Sequence, residues 1–433
     1  MPLGSIRRRR AALWILLATG FLFVNFHRTA TAVLADSLAR TFDATGAELG
    51  LLHASFFYVY APLQLPAGLI VDRYGPRRVG TAGLGLLTLG VVGFAASETL
   101  PAAFLARGIV GLGGSVLYIG TLRFCAAWFR ADQFATMTGY TIGAAGLGGI
   151  LATTPLALAI GAVGWRSTMI VAAATTGVLT LAIAAFVRDT PTSAGFDAVG
   201  HGGDGADTAS LAEVGANVRT VVAERETWLM GLILFCVIGV NFTVLGLWGV
   251  PFLADTYGIS LARASTFVLA GNLGFVLGSP LLGMVSDRFG RRTELIAGAA
   301  LLFTLAYATL VLVPPLWIVG PIFFLALLTN GGVSLVFTVG KERHAPSVAG
   351  TITGVVNGVG YLGAATLPAV LGGILDVYWT GEMLNGARVY TVAGYRVAFG
   401  IAAAAGLVAT LAALYLHRRE GGTGPTPASS QPR

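Results

Sequence analysis

Apolar residues in this 433-residue chain fall into long blocks that are separated by short polar turns. The blocks run to roughly 20–28 residues, the length that an α-helix needs to cross the hydrocarbon core of a bilayer. Their length and continuous apolar character favour helices over the alternating, roughly 10-residue strands of a membrane barrel. The pattern therefore predicts an all-α membrane protein with twelve transmembrane helices. In chain order, these predicted spans 1 to 12 cover residues 11–34, 49–71, 79–96, 102–129, 134–160, 165–187, 228–253, 261–285, 295–313, 316–339, 347–375 and 397–416.

The composition agrees with lipid as the surrounding solvent. Hydrophobic residues make up 55% of the chain and charged residues 11%, and the mean hydropathy is +0.78, far from a soluble globular protein. The two cysteines, Cys125 and Cys236, lie inside predicted spans, so the sequence predicts neither a disulfide framework nor a metal site. It also offers no nucleophile with a base and no paired carboxylates on one membrane face. We therefore expect neither an enzyme nor a cofactor.

The positions of the arginines predict the orientation of the chain. Basic residues collect before span 1, between spans 2 and 3, after span 4, in the central connection, between spans 8 and 9, after span 10 and after span 12. These segments all fall on one side of the membrane, which the positive-inside rule makes cytoplasmic. Both termini are therefore expected in the cytoplasm. The sequence pI of about 9.7 reflects this topology, and no nucleic-acid partner is expected.

A single long connection divides the predicted spans into two sets of six. We expect an N-terminal bundle at residues 1–187, a cytoplasmic linker at 188–227, a C-terminal bundle at 228–417 and a disordered tail at 418–433. The first part of the linker is rich in Gly, Ala and Asp and is typical of a flexible segment. Residues 210–226 can instead form an amphipathic surface helix before span 7.

An internal repeat relates the two predicted bundles. The segment GLIVDRYGPRR at 68–78 returns as GMVSDRFGRR at 283–292, with a constant offset of 287 − 72 = 215 residues. The tripeptide Val-Asn-Phe at 24–26 returns at 240–242 with an offset of 216. Two pseudo-symmetric six-helix bundles are the simplest explanation.

Both copies of the turn motif resemble the GxxxDRxGxR signature of the major facilitator superfamily, and residues 107–111 in span 4 resemble its second motif. The resemblance extends from span 1 to span 12. It implies two six-helix bundles that rock about a central solute site lined by spans 1, 4, 7 and 10. It also implies a secondary active or facilitative transporter in a bacterial inner membrane, surrounded by lipid and acting as a monomer.

The same resemblance assigns a gate to the repeated turns. It implies that Asp72 approaches the start of span 11 across the interface, and that Asp287 approaches span 5, since a carboxylate suits a helix N-terminus. Such a gate would close the cytoplasmic side in the outward-facing state. The alternative is that these charges only set topology. The predicted gating residues are Gly68, Asp72, Arg73, Arg77, Gly283, Asp287, Arg288 and Arg292.

Three arginines inside the predicted spans are candidates for solute binding, because an ionisable group in hydrocarbon is costly. Arg28 lies about eight residues, or roughly 12 Å, from the predicted outer end of span 1. Arg107 lies at a similar depth in span 4, so the two guanidinium groups could converge on one solute. Arg123 is near the cytoplasmic end of span 4. For Arg28 the alternative is snorkelling to headgroups, and for Arg107 it is helix packing.

The acidic residues of the predicted spans all lie near the helix ends. The deep arginines therefore have no acidic partner at their own depth. An anionic solute is therefore expected, since Arg forms a bidentate clamp on a carboxylate or phosphate. The segment His27-Arg28-Thr29-Ala30 also resembles the organic-anion and sugar-phosphate permease branches of the superfamily. An amino-acid or short-peptide carrier is the alternative, and a non-transporting membrane sensor is a minor one. Further candidate solute contacts are Asn25, Tyr58, Tyr118, Asn241, Trp248, Asn330, Asn357 and Tyr361.

Coupling to protons would need a titratable group near the midplane. His27 and His53 are the candidates, since an unperturbed histidine titrates near neutral pH. Each could equally form silent hydrogen bonds inside the bundle. Symport and uniport therefore both stay open at this stage.

Overall fold

Long apolar helices make up nearly all of the described chain. A computed structural model describes residues 3–197, 211–345, 348–384 and 387–422. Before the linker the helices are α1 (Leu3–Thr29), α2 (Thr31–Phe42), α3 (Gly46–Ala96), α4 (Leu100–Gly114), α5 (Leu117–Trp128), α6 (Ala131–Leu151), α7 (Thr154–Val163) and α8 (Trp165–Phe186). A short 3-10 turn follows at Thr192–Ala194.

The second half begins with the linker helix α9 (Leu211–Ala223), which agrees with the predicted surface helix at 210–226. The remaining helices are α10 (Arg225–Thr243), α11 (Gly249–Tyr257), α12 (Leu261–Phe289), α13 (Arg292–Val311), α14 (Leu316–Val333), α15 (Val336–Glu342), α16 (Ala349–Val377) and α17 (Val392–Gly422). A π-helical segment at Val244–Trp248 joins α10 to α11. Between α16 and α17, the antiparallel strands β1 (Trp379–Leu384) and β2 (Ala387–Tyr390) pair with each other.

The described residues contain ten helical segments that are long and apolar enough to cross a membrane, or eleven if the bent pair α6 and α7 is one span. The longest, α3, has 51 residues and breaks at Gly75, where φ is 81° and ψ is 155°. Glycine tolerates this backbone conformation, which other residues rarely adopt. The two parts of α3 match predicted spans 2 and 3. The all-α membrane fold is confirmed, and the count of twelve spans stays a prediction.

Several boundaries differ from those predicted. Span 1 was expected to end at residue 34, yet helix continues through α2 to Phe42. The paired strands were not predicted at all. The last helix continues to Gly422, so the predicted tail begins as helix, and residues 423–433 lie outside the described chain. Residues 198–210 of the predicted flexible linker also lie outside it.

The two halves pack closely at one end of the molecule. This end, called the opposite end below, contains the starts of α3 and α12 and the ends of α7 and α16. A Cβ atom added at Gly50 in α3 would overlap the Pro368 carbonyl in α16. The helices α7 and α12 also meet at this end, where the Ser265 hydroxyl of α12 donates to Thr154 Oγ1 of α7 at 3.2 Å. Small residues thus let the helix backbones approach one another here.

The halves are apart at the other end, which carries the repeated turns and is called the arginine-rich end below. A Cβ atom added at Gly68 in α3, Gly139 or Gly143 in α6, or Gly283 in α12 would meet no atom of the described chain within 4 Å. The same holds for Gly350 at the start of α16. Gly354 of α16 still approaches Leu65 of α3, where an added Cβ atom would lie 3.1 Å from the Leu65 side chain. The halves therefore pack more closely at the opposite end than at the arginine-rich end.

Candidate solute site and gate

A small cavity lies between the two halves. Its volume is about 20 Å³, which is room for roughly one water molecule. The N-terminal half lines it with Arg28, Thr29, His53 and Phe57. The C-terminal half lines it with Asn241, Phe242, Leu245, Gly246, Asn272, Phe275 and Leu327. A solute larger than water requires the halves to separate here.

Arg28 is the charged side chain of this cavity. Its guanidinium carbon lies 4.3 Å from the centre of the Phe242 ring, a cation–π contact between the halves. No carboxylate lines the cavity, and no ion pair of Arg28 is found in the described part of the chain. Because helix continues to Phe42, Arg28 is 42 − 28 = 14 residues, or about 21 Å, from that helix end. The predicted distance of roughly 12 Å was counted to residue 34 and is therefore shorter than the distance to this helix end.

An aromatic layer adjoins Arg28 and spans the interface. The Phe57 ring stacks on the Phe242 ring at 6.0 Å and on the Tyr361 ring at 5.9 Å between centroids. Tyr60 meets Tyr361 edge-on at 4.9 Å. Tyr361, a predicted solute contact, is thus part of a layer that narrows the cavity. Residues from both halves contribute to it, so this layer must come apart when the halves separate.

His53 and Asn272 complete the polar lining. The His53 ring is 1% exposed, and neither ring nitrogen makes a hydrogen bond of good geometry within the described residues. Gly246 leaves room for this ring, since a Cβ atom there would lie 3.0 Å from His53 Cε1. Asn272, which donates to the Val268 carbonyl at 3.1 Å, was missed by sequence reasoning. The repeat offers a signal, because 272 − 215 = 57 and Phe57 also lines the cavity.

Arg107 does not line this cavity. Its side chain is 3% exposed, its Nε donates to the Leu52 carbonyl at 3.1 Å, and its guanidinium carbon lies 5.6 Å from the Phe94 ring centre. These contacts all lie within the N-terminal half. The predicted convergence of Arg28 and Arg107 on one solute is therefore not seen in this conformation. Arg107 Nη2 is buried without a hydrogen-bond partner in the described residues, so its helix-packing role and its solute role both stay predictions.

Arg123 forms an ion pair with Asp72, one of the predicted gating residues. Its Nε lies 3.0 Å from Asp72 Oδ1, so the end of α5 is tied to the turn after the first part of α3. Both side chains are about one-third exposed. Arg123 is also absent from the cavity lining, so it is placed away from the expected solute contacts.

The predicted asparagines mostly bond within their own half. Asn241 lines the cavity while its Nδ2 donates to Asn330 Oδ1 and to the Ala326 carbonyl, each at 2.8 Å. Asn25 Nδ2 donates to the Phe21 carbonyl of its own helix. Asn357 is different, because its Nδ2 donates to Gln64 Oε1 across the interface at 3.1 Å.

The remaining predicted aromatic contacts lie outside the cavity. Tyr58 is 39% exposed and packs near Phe104. Tyr118 packs on Phe21. Trp248 Nε1 donates to a carbonyl of α16 at 3.4 Å near the opposite end. His27 is also outside the lining and contacts the Phe26 ring edge-on at 5.1 Å.

The first copy of the turn motif forms contacts within the N-terminal half. The backbone N–H of Arg77 donates to Asp189 Oδ1 at 2.7 Å, and its side chain donates to the Ala184 carbonyl. Arg73 lies over the Tyr74 ring. With the pair of Asp72 and Arg123, these contacts tie α3, α5 and the segment after α8 together.

The second copy of the motif is organised differently. Arg292 pairs with Glu342 at the end of α15, and Arg288 lies over the Phe289 ring. Asp287 is exposed. The approach of Asp72 to span 11 and of Asp287 to span 5 concerns the outward-facing state and stays a prediction.

Comparison with known proteins identifies the family. The profile of the Major Facilitator Superfamily matches residues 15–368, more than three quarters of the chain. The chain belongs to this superfamily. It is therefore a multi-pass membrane transporter and not an enzyme. A solved structure with the same fold is that of a bacterial homologue of the human lysosomal transporter Spinster in an inward-facing and unoccupied conformation. Its TM-score is 0.78 at 18% identity, with coverage of 97% of this chain and 99% of that one.

Three bacterial proteins are among the relatives of this chain. The probable sulfoacetate transporter SauU of Cupriavidus necator is 26% identical over 86% of this chain and 88% of its own length. The membrane sensor protein UhpC of Escherichia coli is 25% identical over 86% of this chain and 88% of its own. The gentisate transporter of Corynebacterium glutamicum is 28% identical over 86% and 83% respectively.

Proposed function

We propose that this superfamily member carries a small organic anion, most simply a carboxylate, across the bacterial inner membrane by alternating access. The observation that carries the proposal is the position of Arg28. It lines the cavity between the halves, and none of the described residues that line the same cavity has a carboxylate. Because an unpaired charge at this depth is costly, an anionic ligand would supply the missing partner.

The surroundings of Arg28 suit such a ligand. The Phe242 ring contacts the guanidinium group by a cation–π interaction, which leaves the in-plane N–H donors available for two parallel bonds to a carboxylate. His53 and Asn272 line the same cavity and can add hydrogen bonds to the solute. Phe57, Phe242 and Phe275 form an aromatic part of the lining, and an apolar surrounding strengthens an ionic contact.

The opening between the halves fits a transport cycle. The positive-inside rule assigns the arginine-rich end to the cytoplasm, so this structure corresponds to an inward-facing state. Both termini are then cytoplasmic. In the outward-facing state the first copy of the motif would contact the start of α16. The geometry of the ion pair between Asp72 and Arg123 would then change. His53 remains the candidate for proton coupling in the cavity, and symport and uniport both fit this proposal.

The relatives support an anionic solute. The names of SauU and of the gentisate transporter refer to sulfoacetate and gentisate, which both carry an acidic group. An amino-acid or short-peptide carrier is the alternative, since a solute carboxylate would also suit Arg28. The ammonium group of such a solute would need an acidic partner, however, and the part of the chain that the structure describes places none in the cavity lining.

A binding screen tests the solute class. Purified wild-type protein would be heated with carboxylates, sulfonates, sugar phosphates, amino acids and dipeptides, since a ligand stabilises the state that binds it. We expect an anion to raise the Tm of the wild type but not of Arg28→Gln. Arg130→Gln is the matched control, because it removes one exposed arginine from the arginine-rich end and should respond as the wild type does. Stabilisation by cationic solutes only would contradict the proposal.

The similarity to UhpC favours one second candidate, a sensor that binds its solute without moving it. Uptake into proteoliposomes separates the two functions. A transporter accumulates or exchanges the anion that the screen identifies. A sensor would give the same Arg28-dependent Tm shift with no flux.

A further inference from the structure

A charged network closes the interface at the opposite end. Asp376, near the end of α16 in the C-terminal half, faces the first residues of α3 in the N-terminal half. Its Oδ1 accepts from the backbone N–H of Gly46 at 2.7 Å, and its Oδ2 accepts from the N–H of Ala47 at 2.8 Å. These N–H groups lie in the first turn of α3, where they have no partner inside the helix. One carboxylate thus caps a helix of the other half.

The strands between α16 and α17 complete this network. Arg388 in β2 lies with its Nη1 3.1 Å from Asp376 Oδ1, and both side chains are about one-fifth exposed. Tyr390 is the last residue of β2. Its backbone N–H donates to Asp255 Oδ2 of α11 at 3.3 Å. The strand pair is therefore held to its own half while it positions Arg388 beside the carboxylate.

The helix backbones meet closely around this carboxylate. A Cβ atom added at Gly46 would lie 2.7 Å from the Gly372 carbonyl, 2.9 Å from the Tyr390 hydroxyl and 3.1 Å from Asp376 Oδ1. A Cβ atom added at Gly372 would overlap the Gly46 carbonyl. Side chains at these positions would push the carboxylate away from the helix start. The local sequence therefore permits the cap.

The internal repeat gives a comparison inside the same molecule. The position equivalent to Asp376 is 376 − 215 = 161, and Gly161 in α7 has no atom of the described chain within 4 Å of an added Cβ. The equivalent interface between α7 and α12 has instead the neutral hydrogen bond from Ser265 to Thr154. The fold therefore does not require an acid at this place, and the charged cap belongs to one of the two interfaces.

We propose that Asp376 and Arg388 form a latch that holds the opposite end closed, so that its release is a step of the transport cycle. The negative carboxylate is attracted to the positive N-terminus of α3, and Arg388 keeps it in position. When the halves rock, the N–H groups of Gly46 and Ala47 must exchange this carboxylate for water. The latch stabilises the inward-facing state relative to the outward-facing one, whatever solute is carried.

Distances between spin labels at both ends test the latch. One pair would replace exposed Glu98 and Leu312 at the opposite end, and the other exposed Thr136 and Phe289 at the arginine-rich end. The buried native cysteines would be replaced first. In Asp376→Asn we expect the outward-facing population to rise on the order of three- to thirty-fold, with the first distance longer and the second shorter.

Two further variants separate a latch from general loosening. Arg388→Gln should shift the populations in the same direction by a smaller factor, because the carboxylate keeps its backbone contacts. Ser265→Ala, at the equivalent interface, removes a neutral hydrogen bond and should shift them by less than either. Unchanged distances in both Asp376→Asn and Arg388→Gln would overturn the proposal, as would an equal shift in Ser265→Ala. If Asp376→Asn does not fold, the population shifts of Arg388→Gln and Ser265→Ala are compared. A larger shift in Arg388→Gln then supports the latch, and an equal shift overturns it.

Discussion

Two arginines of the N-terminal half have different surroundings, although both lie inside predicted spans. Arg28 lines the cavity between the halves and contacts Phe242 of the other half. Arg107 contacts Leu52 and Phe94 of its own half. Sequence reasoning could identify both as unusual, because the cost of a charge in hydrocarbon does not depend on its neighbours. It could not separate their roles, since the partner of each is set by how the helices pack.

Arg107→Met provides a test of this separation. Methionine fills a similar apolar volume, and replacement of a buried charge by a packed apolar side chain is often neutral or stabilising. We expect the free energy of unfolding to change by less than about 2 kcal/mol. Because Arg107 lies outside the cavity lining, solute affinity should fall by less than about threefold, against a tenfold or greater fall for Arg28→Gln. Thermal unfolding, titrated against solute concentration, measures both effects. A loss of affinity as large as that of Arg28→Gln would contradict this separation and indicate that Arg107 contacts the solute.

At the scale of elements, the hydrophobic pattern predicted most helices because lipid leaves a backbone few other ways to satisfy its hydrogen bonds. It placed the end of span 1 at residue 34 because Asp36 and Arg40 follow. The helix nevertheless continues, since Asp36 faces a pocket between the halves instead of lipid. The strand pair had a signal that the hydrophobic pattern does not read, because the dipeptide Asn-Gly, which the sequence has at 385–386, is typical of hairpin turns.

The gate illustrates what spacing can and cannot provide. The repeated Gly, Asp and Arg positions predicted a functional turn, and the motif was read from the sequence in both halves. The partner of Asp72 in this conformation is Arg123, fifty-one residues away by 123 − 72. Nothing in the motif specifies that pair, because it depends on where the end of α5 meets the turn. Arg123 was therefore predicted as a solute contact instead.

Glycines of α6 provide a test of helix packing. A Cβ atom at Gly148 would overlap the Leu22 carbonyl of α1, whereas one at Gly139 would meet no described atom within 4 Å. We expect Gly148→Ala to force α1 and α6 apart and to lower the Tm. Gly139→Ala on the same helix should leave the Tm unchanged or raise it, since alanine favours helix over glycine by about 0.5–1 kcal/mol. Thermal unfolding of both variants in one detergent measures the difference. Equal losses would mean that α6 needs glycine for flexibility and not for packing.

At the scale of the whole molecule, the two bundles pack more closely at the opposite end than at the arginine-rich end. The repeat offset of 215 residues predicted the two bundles, because related segments fold alike. It could not predict which end is closed, since both states use the same helices. That choice depends on contacts between the halves, such as the cap of Asp376 on α3 at the opposite end. Alternating access requires these contacts to be strong enough to hold and weak enough to release.

Exchange of a labelled anion across proteoliposomes tests the central claim most directly. The wild type, Arg28→Lys and Arg28→Gln would be compared with the anion that the binding screen identifies. We predict saturable exchange by the wild type, and a value of kcat/KM in Arg28→Gln that is lower by on the order of 10- to 100-fold, because charge-assisted hydrogen bonds are lost. Arg28→Lys should lie between them, since it keeps the charge but not the bidentate fork. Exchange by Arg28→Gln at the wild-type rate would contradict the assignment of Arg28 as the anion contact.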